Sequence, residues 1–161
     1  MRARVLGFGL LIVIALIIGH FTDAGRNDAG EITKSGDVTA TEVQVGDCFD
    51  ELPQTSTEGT TFTSVHAVPC SEGHHWQVFY QESLFAESFS VSYIESKADS
   101  ICNAAAQTLV NNMSSIKFDA FQNAQLTYFA PTEKSWTLHG DRSIQCLFGN
   151  DTESYFTSAF K

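Results

Sequence analysis

His74 and His75, with His66 and Cys70 just before them, form the densest group of metal-ligating side-chain types in the chain. Neighbouring residues on an extended strand point to opposite faces, so two adjacent histidines do not converge on one ion, and an oxidised cysteine is no ligand. The spacing instead predicts that His74 hydrogen-bonds a backbone turn. Asp141 and Arg142 are the other pair with chemical potential: exposed at a loop tip they would contact an anion or a partner. In a structural role the aspartate would accept from N–H groups of its own turn, and the arginine would pair with a carboxylate such as Asp47 or Glu72. The chain has no Gly-x-Ser-x-Gly, His-Glu-x-x-His, Gly-rich phosphate loop or Ser-x-x-Lys, and scattered Ser, His and Asp residues certify no triad. No catalytic, metal or cofactor-binding residue is therefore assigned. Two Asn-x-Ser/Thr sequons, at Asn112 and Asn150, matter only in a glycosylating secretory pathway.

The elements that must position these residues read as α+β. Val43 to Phe49 suggests a first strand with Gly46-Asp47 as a turn or bulge inside it, followed by a polar loop, Leu52 to Thr61. Phe62 to Cys70 and Trp76 to Tyr80 read as strands, as do Leu126 to Ala130, Trp136 to Leu138 and Ile144 to Phe148. The last two would flank His139-Gly-Asp-Arg142 as a hairpin-type loop. Ser92 with Glu95 fits a capping box, and Ile94, Ala98, Ile101, Cys102, Ala105, Leu109 and Val110 recur at helical spacing to about Asn112. This predicts a mostly antiparallel sheet of five or six short strands with one main helix on a face. Tyr155, Phe156 and Phe160 would form a last short strand or an exposed end, and most of the thirteen phenylalanines would fill the core.

The four cysteines, Cys48, Cys70, Cys102 and Cys146, contain no Cys-x-x-Cys pair and read as two disulfides of an exported domain. Cys102 lies on the helix's apolar stripe, and Cys146 shares a strand face with Ile144 and Phe148. A helix-to-sheet bridge Cys102–Cys146 is therefore sensible, leaving Cys48–Cys70, although three connectivities are open in principle.

Export is also written at the N-terminus. Arg2 and Arg4, in a cytoplasmic n-region of residues 1–4, precede an apolar segment, residues 5–21, and this order sends the rest of the chain outward. Its uninterrupted part, Val5 to Gly19, rises only about 22 Å as a helix against a bilayer core of about 30 Å, which leaves both a transmembrane anchor and a cleaved signal peptide open. Residues 22–41, with only Ile32 and Val38 as large aliphatics, predict a flexible linker reaching roughly 25 Å. Residues 42–161 are then the extracytoplasmic domain. Without Arg2 and Arg4, seven of the nine basic residues face nineteen acidic ones, a formal charge of −12 that excludes nucleic acid and disfavours docking on anionic lipid.

Val45-Gly-Asp-Cys-Phe49, Val68-Pro-Cys-Ser-Glu-Gly-His74, and Trp136-Thr-Leu-His-Gly-Asp-Arg142 with Cys146 together resemble the septum formation family of actinobacterial membrane proteins. The match covers about Val43 to Phe148. The family's usual Pro-His after the second cysteine stands here as Gly73-His74, and its acidic residue three positions later is Gln77. The resemblance implies a single N-terminal membrane segment, a linker, an exported domain and a link to division or the cell envelope, with no biochemical activity attached. It also nominates Asp47, His74, Trp136, Asp141 and Arg142 as an interaction patch, provided the three motifs meet.

The function expected is thus a non-enzymatic interaction module tethered at the plasma membrane with its domain outside, or secreted if the signal is cleaved. Its partners would be the membrane, through the N-terminal segment, and an envelope or division protein or a wall component. An envelope-polymer hydrolase or metal-dependent enzyme is the alternative from another class, and a small-ligand sensor or inhibitor domain is a third.

Overall fold

The computed structural model of the chain describes residues 23–52, 64–114, 121–152 and 154–155. The n-region 1–4, the apolar segment 5–21, most of the loop expected before Phe62, and Phe156 and Phe160 lie outside these residues. Among the described residues no helix is long and apolar enough to cross a membrane.

The described elements are, in chain order, β1 (Gly25–Arg26), β2 (Ile32–Lys34), β3 (Gly36–Thr39), β4 (Cys48–Phe49), β5 (Ser64–Val68), β6 (Trp76–Ser83), α1 (Val91–Asn112), β7 (Gln125–Phe129), α2 (Glu133–His139) and β8 (Ser143–Gly149). β1 and β2 make a two-stranded ribbon. The other strands form one curled, wholly antiparallel sheet in the order β3-β5-β4-β6-β8-β7. The α+β architecture, the main helix packed on the sheet, and both disulfides, Cys48–Cys70 and Cys102–Cys146, are as the sequence predicts.

Each face of the sheet carries a buried cluster, and the period-two alternation of the strands divides the core between them. Ile144, Cys146 and Phe148 of β8 and Phe79 of β6 face α1, where Ile94, Ala98 and Cys102 meet them. Leu147 and Val78 point the other way, into a second cluster with Phe49, Val65, Ala67 and Phe129. The second bridge ties helix to sheet within the first cluster, and the first joins β4 to the end of β5.

Four expectations are corrected. Of the segment expected as a flexible linker, 22–41, the described residues 23–41 are structured: β3 pairs with β5, and the ribbon packs Ile32 beside Val38 in the second cluster. Two aliphatic side chains suffice because the sheet edge supplies backbone partners, an enthalpic return that composition does not reveal. Val43 to Phe49 is a regular strand only at Cys48–Phe49; before it, Gly46 donates to the Val78 carbonyl at 2.8 Å and Val78 to the Asp47 carbonyl at 2.9 Å, continuing the contact with β6 irregularly.

The main helix starts earlier than expected, with Ser90 as N-cap accepting from the Tyr93 N–H, so Ser92 and Glu95 make no capping box. Trp136 to Leu138 is helix rather than strand. Thr132 and Ser135 cap it reciprocally, Trp136 N–H bonds the Thr132 carbonyl at 2.8 Å, and Gly140 ends it with φ +65°, a conformation that favours glycine. β-prone Trp and Thr suggested a strand there, but the caps on both sides prevail.

Candidate functional site

The nominated patch is not assembled. β6 runs from Trp76 to Ser83, a rise of about 20 Å, and the nominees sit at its two ends.

At the Trp76 end the first two motifs do meet. Asp47, only 2% exposed, holds Arg26 through both carboxylate oxygens and accepts the Gln44 N–H at 2.8 Å. The Gly46 carbonyl beside it lies 3.1 Å from Cys70 Sγ and accepts from Gln77 Nε2 at 3.3 Å. Gln77, standing where the family pattern has an acid, is buried and serves this turn. His74 is fully buried, its backbone pairs with Tyr155, and its Nδ1 lies 2.9 Å from the Glu72 carbonyl. A carbonyl only accepts, so Nδ1 carries the proton. Among the described residues Nε2 has no hydrogen-bond partner, and burial pushes the imidazole pKa below the ordinary range, with neighbouring His75 adding slightly to that. The expected backbone-turn role of His74 is what the geometry shows.

At the Ser83 end, Arg142 stacks over Trp136 at 3.5 Å from the ring centroid and donates to the Trp136 carbonyl at 3.0 Å. Its own carbonyl accepts the Leu84 N–H, which fixes it beside the end of β6. Asp141 accepts from the Ser143 N–H at 3.0 Å and from the Ser135 hydroxyl at 2.9 Å, so it caps its own turn as expected. Arg142 does not pair with Asp47 or Glu72, because Arg26, a residue of the expected linker, occupies Asp47. His74 and Asp141 are consequently at opposite ends of β6. Among the described residues no group of three His, Cys, Asp or Glu is placed to hold a metal ion.

The surface with binding character lies elsewhere, between the C-terminal half of α1 and β7. A groove of about 220 Å³ is lined by Ala106, Leu109, Val110, Met113, Phe121 and Leu126, among others. Val110 and Leu126, each 45% exposed, form its rim. A shallower depression continues past Leu126 to Asn103, Gln107 and Asn111. Burial raises the phenol pKa of Tyr128, and the charges of Asp99 and Glu95, nearer the N-terminus of α1, add to that effect.

The sheet edges are treated differently. Outside β3, Asp23 bridges to Asp37, and Ala24 N–H bonds the Asp37 carbonyl at 3.1 Å, so that edge is covered. β7 pairs with β8 without register shift, and no described strand pairs with its outer side. Its sequence, Gln-Leu-Thr-Tyr-Phe, carries no charge, proline or bulge, the devices that commonly protect an edge. Sequence reasoning missed this surface: Val110 read as part of the helix's apolar stripe and Leu126 as the start of a strand, and only their place at the rim of the packing leaves them half in solvent. Comparisons of the chain with protein-family models, with curated proteins and with solved structures find no match.

Proposed function

We propose that this chain is a non-enzymatic interaction module, exported to the outer side of the membrane and held there by residues 5–21, or released if that segment is cleaved, that binds another protein of the cell envelope. The observation that carries the reading is the inequality of the two sheet edges: one is covered by the chain's own N-terminal residues, whereas among the described residues no strand pairs with the outer side of the other, which adjoins an exposed apolar groove. Apolar surface beside an unprotected strand is what a partner buries and what a monomer ordinarily avoids. Two disulfides and a strongly acidic composition suit an oxidising, extracytoplasmic setting. The septum formation resemblance adds division or the envelope as the place of action.

The reading is tested in the native membrane with the full chain carrying a photoactivatable residue at position 126, or at position 33 on the exposed ribbon as control. A discrete adduct with one envelope protein at position 126, absent at 33 and lost on Val110→Asp, is expected. If position 126 gives no adduct, or gives the same set as position 33, the α1/β7 face is not where a partner binds.

A further inference from the structure

We infer that the partner enters as an extended peptide strand that adds to the outer edge of β7, placing an aliphatic residue beside Leu126 and a lysine or arginine two positions away beside Tyr128. The inference rests on the interaction-module reading and names the chemistry of its partner.

Three observations carry it. First, β7 is an uncharged strand in regular register with β8 and no described strand lies on its outer side, where a further strand would complete the antiparallel pattern. Second, α1 flanks this strand. Ile94, Ala98 and Cys102 pack on the existing sheet, while the adjoining stripe of the helix, Glu95, Asp99, Asn103, Ala106 and Val110 at three- and four-residue steps, lies toward β7. A strand added to β7 would lie under that stripe. Third, the stripe is graded: apolar where Val110 and Ala106 flank Leu126, acidic at Glu95 and Asp99, the neighbours in sequence of Ile94 and Ala98 in the cluster against which Tyr128 packs. Leu126 and Tyr128 share one face of β7 by period two, so the facing residues of an added strand are also two apart. Aliphatic opposite Leu126 and cationic opposite Tyr128 is the complement, and the formal charge of the exported part favours the cation at longer range.

A second copy of this chain is a poorer occupant, because two β7 edges paired with each other would bring the acidic stretches of both stripes to the same ribbon.

The probe is a fluorescent heptapeptide of alternating threonine and valine with one central leucine and a lysine two positions away, titrated by anisotropy against the full chain in detergent. Binding is expected to weaken at least about ten-fold when Leu126→Asp removes the apolar contact. The Glu95→Gln, Asp99→Asn double variant should weaken it by about two- to five-fold and reduce its salt dependence, as for an exposed ion pair. Moving the lysine by one position should have the same effect as the double variant. N-methylation of the alternate peptide amides that face β7 should abolish binding, whereas methylation of the other set should leave it; this comparison needs no protein variant and is unaffected by any folding defect. Failure of the peptide to bind, or equal effects of the two methylated sets, overturns strand addition. Self-association lost on Leu126→Asp, with no peptide binding, overturns it in favour of a dimer. A position-126 adduct formed in the native membrane alongside either failure would leave the interaction-module reading standing and remove only this mode of binding.

Discussion

Arg26 reaches the two carboxylate oxygens of Asp47 at 2.6 and 2.7 Å, and the same guanidinium bonds the Gly30 carbonyl at 2.7 Å and the Glu42 carbonyl at 3.2 Å. One side chain from the N-terminal ribbon thereby closes that ribbon on itself and fastens it to the turn that precedes the first disulfide. A planar, five-donor group is suited to such a site, where a lysine would satisfy fewer of the four acceptors.

Arg26→Ala is expected to lower stability by about 2 to 4 kcal/mol, because it leaves a buried carboxylate with the Gln44 N–H as its remaining described partner. Urea unfolding measures it. A loss below about 1 kcal/mol would mean that the pair behaves as a surface ion pair.

Deleting residues 22–41, harmless if they were a stalk, removes β3 and the ribbon and exposes the edge of β5. The shortened protein should unfold at distinctly lower urea, with β5 amides exchanging faster. Unchanged midpoint and exchange would restore the linker description.

The disulfide loops differ in length, with separations of 22 and 44 residues. On chain entropy alone, replacing Cys48–Cys70 by two serines costs about 3 kcal/mol and replacing Cys102–Cys146 about 4 kcal/mol. The longer loop also joins helix to sheet inside the core, so the Cys102→Ser, Cys146→Ser protein should show the larger drop in Tm; the opposite order would contradict this ranking.

Gly149 pairs with Trp76 on one side and Gln125 on the other, and a Cβ there would fall 2.0 Å from the His75 carbonyl oxygen and 2.8 Å from Trp76 Cα. These are backbone atoms, which cannot swing aside as a flexible side chain does. Gly149→Ala should therefore cost about 1 to 3 kcal/mol or more, read by thermal unfolding, whereas Gly140→Ala, with open space around it but φ +65°, should cost about 1 kcal/mol.

His74 is held neutral, with a folded pKa below the ordinary 6.5. As pH falls the unfolded chain takes up this proton first. The stability associated with the neutral imidazole is complete above the unfolded pKa and is lost as pH drops through the folded one. Between about pH 7.5 and about pH 5 the urea midpoint of the native protein should fall further than that of His74→Gln. Parallel curves would show that other groups cause the acid sensitivity.

The features legible in the chain are local or covalent. Helical spacing from Ile94 to Val110 places α1 because the 3.6-residue period is a property of adjacent residues, and the faces on which Cys102 and Cys146 lie are enough to indicate their bridge. The turn roles of His74 and Asp141 are legible for the same reason: each bonds backbone within two residues of itself. Local reading fails where a distant partner decides. Ser90 and Ser92 are alike in type, and which one caps α1 depends on where the chain arrives from β6.

The sequence by itself determined an α+β domain with two disulfides, a buried helix stripe and an acidic composition, since composition, period and cysteine placement are carried by the chain whatever its path. Tertiary structure alone decided that Arg26 rather than Arg142 meets Asp47, that the length of β6 keeps the nominated patch in two halves, and that β3 is covered while no described strand covers β7. Those outcomes depend on which strand lies at which edge, a long-range order that no local pattern encodes.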